Sequence, residues 1–338
     1  MNRLKLFTIL VFTVLLSACA TGSHAEKRSS SFGDSDHTFS CEGPITSIRA
    51  VGGLEVYYTQ SKPGSRPSVI VDAGSDWDGL RLNQEGTVFT VTRNPKNRGT
   101  VHSTDVKIRI STPALNKVET GAGANFYISG GLKTDSELRL TASSGSEINI
   151  ARLQTADNLT CDASSGATIS LSNLSGATVA LAGSSGSDIN LNGKCRNISI
   201  VGTSGADIDV DAKVEKASIS GSSAADVTLK GEVSGKAMAS ASSSANVDLG
   251  NLKTGSLQVD CTSGATMIIR DMSLNFSAIH TSSGGTITPV TSVKGSDRGK
   301  NNYTIENYTI EETVEEDEEP VERTQPDTVS LSVSDAGH

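Results

Sequence analysis

The chain has 338 residues, enough for one large domain or two ordinary ones. Hydrophobic residues make up 36% and aromatics 4%, with 33 glycines, which suits many tight turns around a thin core and weighs against a compact α/β enzyme. Residues 311–338 hold ten acids and one base and so carry the whole net charge of −9; the balanced remainder excludes the basic footprint of a nucleic-acid-binding protein.

The N-terminus reads as an export signal. Arg3 and Lys5 form a short basic start, and Leu6 to Leu16 form an apolar run too short to span a bilayer as a helix. The run ends in Leu16-Ser17-Ala18-Cys19, small residues before a cysteine, which resembles the bacterial lipoprotein signal. Residues 1–18 are therefore expected to be removed and Cys19 to be acylated. Several acyl chains on one residue give stable membrane attachment. Ala20 follows the cysteine in place of an aspartate, which points to the outer membrane. Residues 19–39 are polar and Ser-rich and read as a flexible tether.

Residues 40–310 are expected to form a single β-solenoid domain. Its first part, 40–120, lacks an obvious repeat but reads as strands. Ile45 to Val51 leads through Gly52-Gly53 into Leu54 to Thr59, with further runs at Thr87 to Thr92 and Val106 to Ile110. An open end strand needs cover, so this segment is expected to cap the N-terminal end. Tyr303 to Ile310 is read as the last strand. Residues 311–338 form an acidic tail expected to be disordered.

Between 121 and 290 one pattern returns: Ser-Ser-Gly, then small, polar, aliphatic, polar, aliphatic. Copies include SSGSEINI at 143–150, SSGATISL at 164–171, SSGSDINL at 184–191 and TSGADIDV at 203–210, with GAGANFYI at 121–128 one spacing upstream. The third residue of each copy falls at 145, 166, 186, 205, 224, 244, 264 and 284, so each repeat has 19–21 residues. Three residues later come Ile148, Ile169, Ile189, Ile208, Val227, Val247, Met267 and Ile287. Two further on, another aliphatic column follows, and polar residues alternate with both, as in a strand with one buried face. Five residues before the reference lies a second apolar column, Leu140, Cys161, Leu181, Ile200, Ile219, Ala239, Val259 and Ile279. A third runs through Leu153, Leu174, Cys195, Val214, Val233, Leu252 and Met272. Every residue three before the reference is small, which marks a tight corner. One coil per repeat, with like residues stacked on like, is a parallel β-solenoid. The six-residue period of left-handed hexapeptide helices is absent.

The outward positions supply the candidate sites. Ser144, Ser165, Ser185, Ser204, Ser223, Ser243, Ser263 and Ser283 form a ladder at the corner. Eight equivalent serines suit a turn hydrogen-bonded by its side chains, not a nucleophile held by one base. Asp188, Asp207 and Asp226 stack in one outward column, and hard oxygen ligands suit Ca²⁺, so they form a candidate cation ladder. No catalytic or cofactor-binding residue stands out. The histidines show no zinc-site spacing. Cys161, Cys195 and Cys261 each replace an apolar or small residue in a column and read as buried thiols. Cys161 and Cys261 would lie about 24 Å apart, beyond the roughly 7 Å reach of a disulfide. Trp77 reads as packing on the cap.

These features together resemble a known family of exported bacterial proteins, the putative auto-transporter adhesin, head GIN domain family. The resemblance rests on the lead-in from Ile45 to Gln60, the bridge VKIRISTPALNKVETGAGAN at 106–125, and the repeats with Gly145…Ile148-Asn149 and Gly186…Ile189-Asn190. It implies an all-β, right-handed β-helix-like solenoid with a role in surface adhesion and no catalytic residues. The expectation is thus a non-enzymatic, lipid-anchored cell-envelope protein with no cofactor. It presents polar ladders on a rigid rod to a glycan, matrix or envelope-protein partner, with the membrane held through Cys19 and no nucleic acid bound. The alternatives are a polysaccharide-acting β-helix enzyme and an envelope structural or stress-linked protein. Coils of 19–21 residues leave no insertion long enough to wall a catalytic cleft.

Substituting Cys19→Ser should block acylation and move the protein from the membrane to the soluble fraction. Labelled fatty-acid uptake and membrane fractionation check this. A mutant that stays with the membrane, beside a wild type that takes up no label, would refute the anchor.

Overall fold

A computed structural model describes residues 36–73, 79–93, 106–269 and 276–289. Cys19, Trp77, Met272, the strand expected from Tyr303 to Ile310 and the tail 311–338 lie outside the described residues. Among the described residues there is no α-helix; all 24 elements are strands of one continuous sheet that coils on itself. The chain is a parallel β-solenoid, and the repeat of about twenty residues is its coil.

Two parallel ladders meet at each corner. The first runs through β8 (Lys117–Gly121), β11 (Leu138–Ser143) and β14 (Asn158–Ser164) into the second half of β15 (Thr168–Ser184). The second runs through β9 (Asn125–Ile128) and β12 (Glu147–Ile150) into the first half of β15. From there β16 (Asp188–Gly202), β17 (Asp207–Val214), β18 (Lys216–Gly221) and β19 (Asp226–Ala241) continue both ladders. They end in β20 (Asn246–Asp248), β21 (Leu252–Thr262), β22 (Thr266–Ile269), β23 (Phe276–Ser282) and β24 (Thr286–Pro289).

The register stacks the predicted columns. Ile148 faces Ile169, Ile169 faces Ile189, Ile189 faces Ile208 and Ile208 faces Val227 in successive coils. All five are at most 1% exposed. Leu140, Cys161, Leu181 and Ile200 meet them from the first ladder, also buried. Ile279, in the last described coil, is 45% exposed and departs from its buried column. The small corner column has a packing cause. A Cβ on Gly202 would come within 2.7 Å of Val227 Cγ2 in the next coil, so nothing larger fits.

The third stack holds in part, with Leu153 facing Leu174 and Val214 facing Val233, but elsewhere it departs from the simple spacing. Leu174 faces Gly193, and Cys195 faces Gly176; likewise Leu252 faces Gly231 rather than Val233. The ladder is irregular here, between Leu171 and Leu174 and between Val233 and Lys236, which absorbs the unequal coil lengths. Gly231 has φ +103°, and a Cβ there would lie 2.2 Å from the Ala212 carbonyl oxygen, so glycine is required.

At the N-terminal end the chain order and the stack order part. β2 (Ser47–Val51) and β3 (Glu55–Gln60) form a coil directly against β8 and β9. The next coil in sequence, β6 (Val88–Arg93) and β7 (Lys107–Thr112), stacks on the outer side of β2 and β3. Three antiparallel strands then cover the edge: β5 (Leu80–Glu85) on β6, β4 (Ser68–Asp72) on β7, and β1 (Asp36–Phe39) on β4. Segment 40–120 therefore supplies coils as well as most of their cover; the remaining covering strand, β1, lies within the stretch 19–39 expected to be a tether. Its core is the most aromatic: Phe39 packs edge-on against Phe89 at 5.3 Å and Tyr58 stacks on Phe126 at 6.1 Å. The Tyr58 hydroxyl donates to the Thr112 carbonyl at 3.0 Å, which pays for burying it.

Ile189→Asp should strip the protein of several kcal/mol, because an unpaired carboxylate is buried between two coils or forced to protonate. Asp188→Ile, one residue away on the outside, should be far milder. Thermal melts of the two variants check the register; equal losses would contradict it.

Candidate binding surface

Each corner is a turn whose two central residues are left-handed. Ser165 has φ +55° and Gly166 +68°; Ser204 has +53° and Gly205 +70°. The N–H after the pair closes the turn, as in Ala167 to Ser164 O at 3.2 Å and Ala206 to Thr203 O at 3.1 Å. This is the type I′ pattern. The N–H of the second central residue instead donates to the serine carbonyl of the next coil: Gly166 to Ser185 O and Gly186 to Ser204 O, each at 3.1 Å. The expected hydrogen bonding of the corner is thus made by backbone groups. The serine side chains of the ladder are exposed. The residue closing the turn, noted in the repeat only as small, forms a further inward column: Ala167, Ala206, Ala225, Ala245 and Ala265, all buried. Where serine replaces alanine it bonds inside: Ser187 Oγ accepts from Ser184 N at 2.9 Å and donates to Ala163 O at 3.0 Å. Its small size and its place just after Ser-Gly were the signal.

Asp188 faces Asp207 and Asp207 faces Asp226, all exposed. Partial burial and then the charges of Asp188, Asp226 and Asp209 push the Asp207 carboxyl above the usual carboxylate range. Asn246 Nδ2 donates to Asp226 Oδ1 at 2.9 Å at the end of the column. Among the described residues no three or more His, Cys, Asp and Glu side chains gather into a metal-binding group. In the neighbouring outward column Lys230 Nζ pairs with Asp209 at 3.1 Å. A groove of about 270 Å³ lies there, lined by Ser170, Asn190, Asn192, Asp209, Asp211 and Lys230 among others. A second groove of about 220 Å³, beside the third stack, is lined by Lys133, Asp135, Gln154, Ser175 and Arg196 among others.

The described cysteines are free thiols, and Cys161, Cys195 and Cys261 are buried. Burial pushes the Cys195 thiol up to about 11 and the other two upward. Cys261 Sγ also donates to Ala265 O at 3.3 Å. Such thiols are poor nucleophiles. His280 Nδ1 lies 3.2 Å from Asp260 Oδ1 in an exposed pair.

A feature missed in sequence is aromatic. Tyr57 on β3 faces Tyr127 on β9, both outward, with ring centroids 5.4 Å apart and planes tilted by 32°. The Tyr57 hydroxyl donates to Glu55 Oε2 at 2.7 Å, which pushes its phenol up to about 12. Alternation marks each tyrosine as outward, but nothing in the spacing of 40–120 brings the two together.

The family described as putative auto-transporter adhesin, head GIN domain matches residues 44–181 and 177–291. The chain belongs to this family. A putative lipid binding protein from Parabacteroides distasonis is 15% identical, covering 77% of this chain and 98% of its own, with a TM-score of 0.56. A putative adhesin from Parabacteroides merdae is 15% identical over 76% and 96% of the two chains, with a TM-score of 0.49. One from Bacteroides fragilis is 14% identical over 74% and 97%, with a TM-score of 0.46. At 15% identity the likeness to the Parabacteroides distasonis protein shows the fold alone. A comparison with curated proteins finds none that matches.

Asp207→Asn should raise the melting temperature at pH 7 by on the order of 1 °C, a small effect because the group is largely exposed. A carboxyl whose pKa is raised on folding destabilises once ionised. The gain should therefore vanish as pH falls below the unfolded value near 3.8. It should also shrink in high salt. Melts across pH and ionic strength check both.

Proposed function

We propose that this protein is a non-enzymatic binding module of the cell envelope, held in the outer membrane by lipid on Cys19. On this reading the solenoid is a rigid rod that presents its outward columns to a glycan, a matrix component or an envelope protein. The observation that carries it is the surface: regular coils place exposed Ser, Thr, Asn and Asp side chains in register, with shallow polar grooves between them. Membership of a family described as adhesins supports the same direction. The lipid-binding description of one structural neighbour is not carried over, because polar and charged side chains line most of both grooves and acyl chains would gain little there. Nucleic acid is disfavoured by the balanced charge of residues 1–310 and by the aspartates of the outward columns.

The full chain, purified from envelope membranes, should bind members of an array of glycans and matrix proteins without consuming them. Release of new reducing or unsaturated ends from a bound polysaccharide would overturn the non-enzymatic reading. Absence of binding to every array member would turn the assignment to an envelope structural role.

A further inference from the structure

The aromatic pair stands at one end of a continuous outward column. Its members, coil by coil, are Tyr57, Tyr127, Asn149, Ser170, Asn190 and Asp209. At about 4.8 Å per coil the column runs about 24 Å along the solenoid axis. Its far end opens into the groove that Ser170, Asn190 and Asp209 help to line. One exposed ring, Tyr57, and one half-buried outward ring, Tyr127, therefore lead into a track of uncharged hydrogen-bonding groups that finishes in a polar hollow. Tyr57 is 41% exposed in a protein with 4% aromatics, whereas Tyr58, Phe89 and Phe126 are buried.

Ring faces, amides and hydroxyls in a line suit a particular chemistry. A pyranose offers an apolar face of C–H groups that can lie on an aromatic ring, and a rim of hydroxyls that donate and accept. Tyrosine supplies such a face at small cost in side-chain freedom. The Glu55 carboxylate fixes the Tyr57 hydroxyl at 2.7 Å, so this ring is held in place. Charge narrows the ligand further. Glu55, Asn125 and Glu147 form the adjacent column beside the rings, and Asp188, Asp207 and Asp226 extend it. These carboxylates would repel phosphates and uronates but accept hydrogen bonds from sugar hydroxyls. Arg109, one coil outward of Tyr57, lies beyond the end of the track.

We propose that Tyr57, Tyr127 and the polar column continuing from them bind an extended, uncharged oligosaccharide laid along the solenoid axis. This rests on the reading of the protein as a surface-binding module and names the ligand class for one face of it. Sugars stack on the two rings, and later sugars of the same chain hydrogen-bond to Asn149, Ser170 and Asn190.

The test is calorimetric titration of the full chain with cellohexaose, mannohexaose and N-acetylated chitohexaose, with the matching disaccharides and hexagalacturonate as contrasts. At least one neutral hexamer should bind. Its disaccharide should bind about tenfold more weakly, and hexagalacturonate more weakly than the neutral hexamer. Tyr57→Thr and Tyr127→Thr keep a strand-forming residue but remove the ring, and each should weaken binding by about tenfold. Tyr57→Phe keeps the ring and should stay within about threefold of wild type. The thermal melts of all three variants show whether the fold is retained. The proposal fails if no neutral hexamer binds, if hexagalacturonate binds as well as they do, or if folded threonine variants bind as wild type does. Binding to array matrix proteins with no binding to any hexamer would sink this proposal and leave the broader one standing.

Discussion

The left-handed dipeptide at each corner is the constraint on which the rest of the solenoid depends. Two successive residues with positive φ turn the chain, and the second donates its N–H to the serine carbonyl of the coil beyond. The same two residues thus set the local turn and the register between coils. A slip of one residue would push other side chains into a left-handed conformation and carry every buried side chain to the outside. The alanine after the turn and the small residue before it follow from this. They occupy the tight inner side of a corner against which the next coil's isoleucine or valine packs, as Gly202 does against Val227.

The same constraint explains what the sequence made legible. Because the corner demands a short residue and then usually glycine, the repeat surfaces as Ser-Ser-Gly, and the strands on each side follow from period two. The first described coil makes the same bond between coils at a different turn, in which Gly52 is left-handed, with φ +88°, but Gly53 is not. Gly53 N donates to Ala122 O at 3.0 Å, the bond Gly123 N makes to Ser144 O at 3.1 Å, but the flanking letters are Val51-Gly52-Gly53-Leu54. Its kinship with the repeats could not be read from spacing, since a second coil and the covering strands intervene between Gln60 and Lys117. That chain order need not follow stack order is a tertiary fact with no local signal. The irregular third stack escaped for another reason: it depends on backbone offsets at Gly193 and Gly231, while the apolar letters by themselves suggested a straight column.

For the candidate surface, sequence alone separated inward from outward positions with few exceptions, and it picked out the aspartate column. It misjudged the serines by giving side chains the task that backbone groups perform. It passed over the tyrosines because a contact between Tyr57 and Tyr127 exists only once β3 is known to stack on β9. Outward position is a property of one strand, whereas a binding surface is a property of the stack.

Stacking like on like also limits what such a surface can carry. Identical carboxylates repeated at coil spacing repel one another, and partial burial followed by that repulsion pushes the Asp207 carboxyl above the usual carboxylate range. The aspartate run is accordingly short: Thr168 precedes it and Asn246, donating to Asp226, follows it. In the next column Asp209 is followed by the uncharged Thr228, and it pairs with Lys230, which stands two residues further along that coil. Uncharged side chains meet no such limit, since neighbouring hydroxyls and amides can each donate and accept. A solenoid can therefore extend an uncharged polar column over many coils, while a charged one must be interrupted or paired. Long-range recognition along the axis is then best served by hydrogen bonds to an uncharged, extended partner, and the few charges decide which partners are turned away.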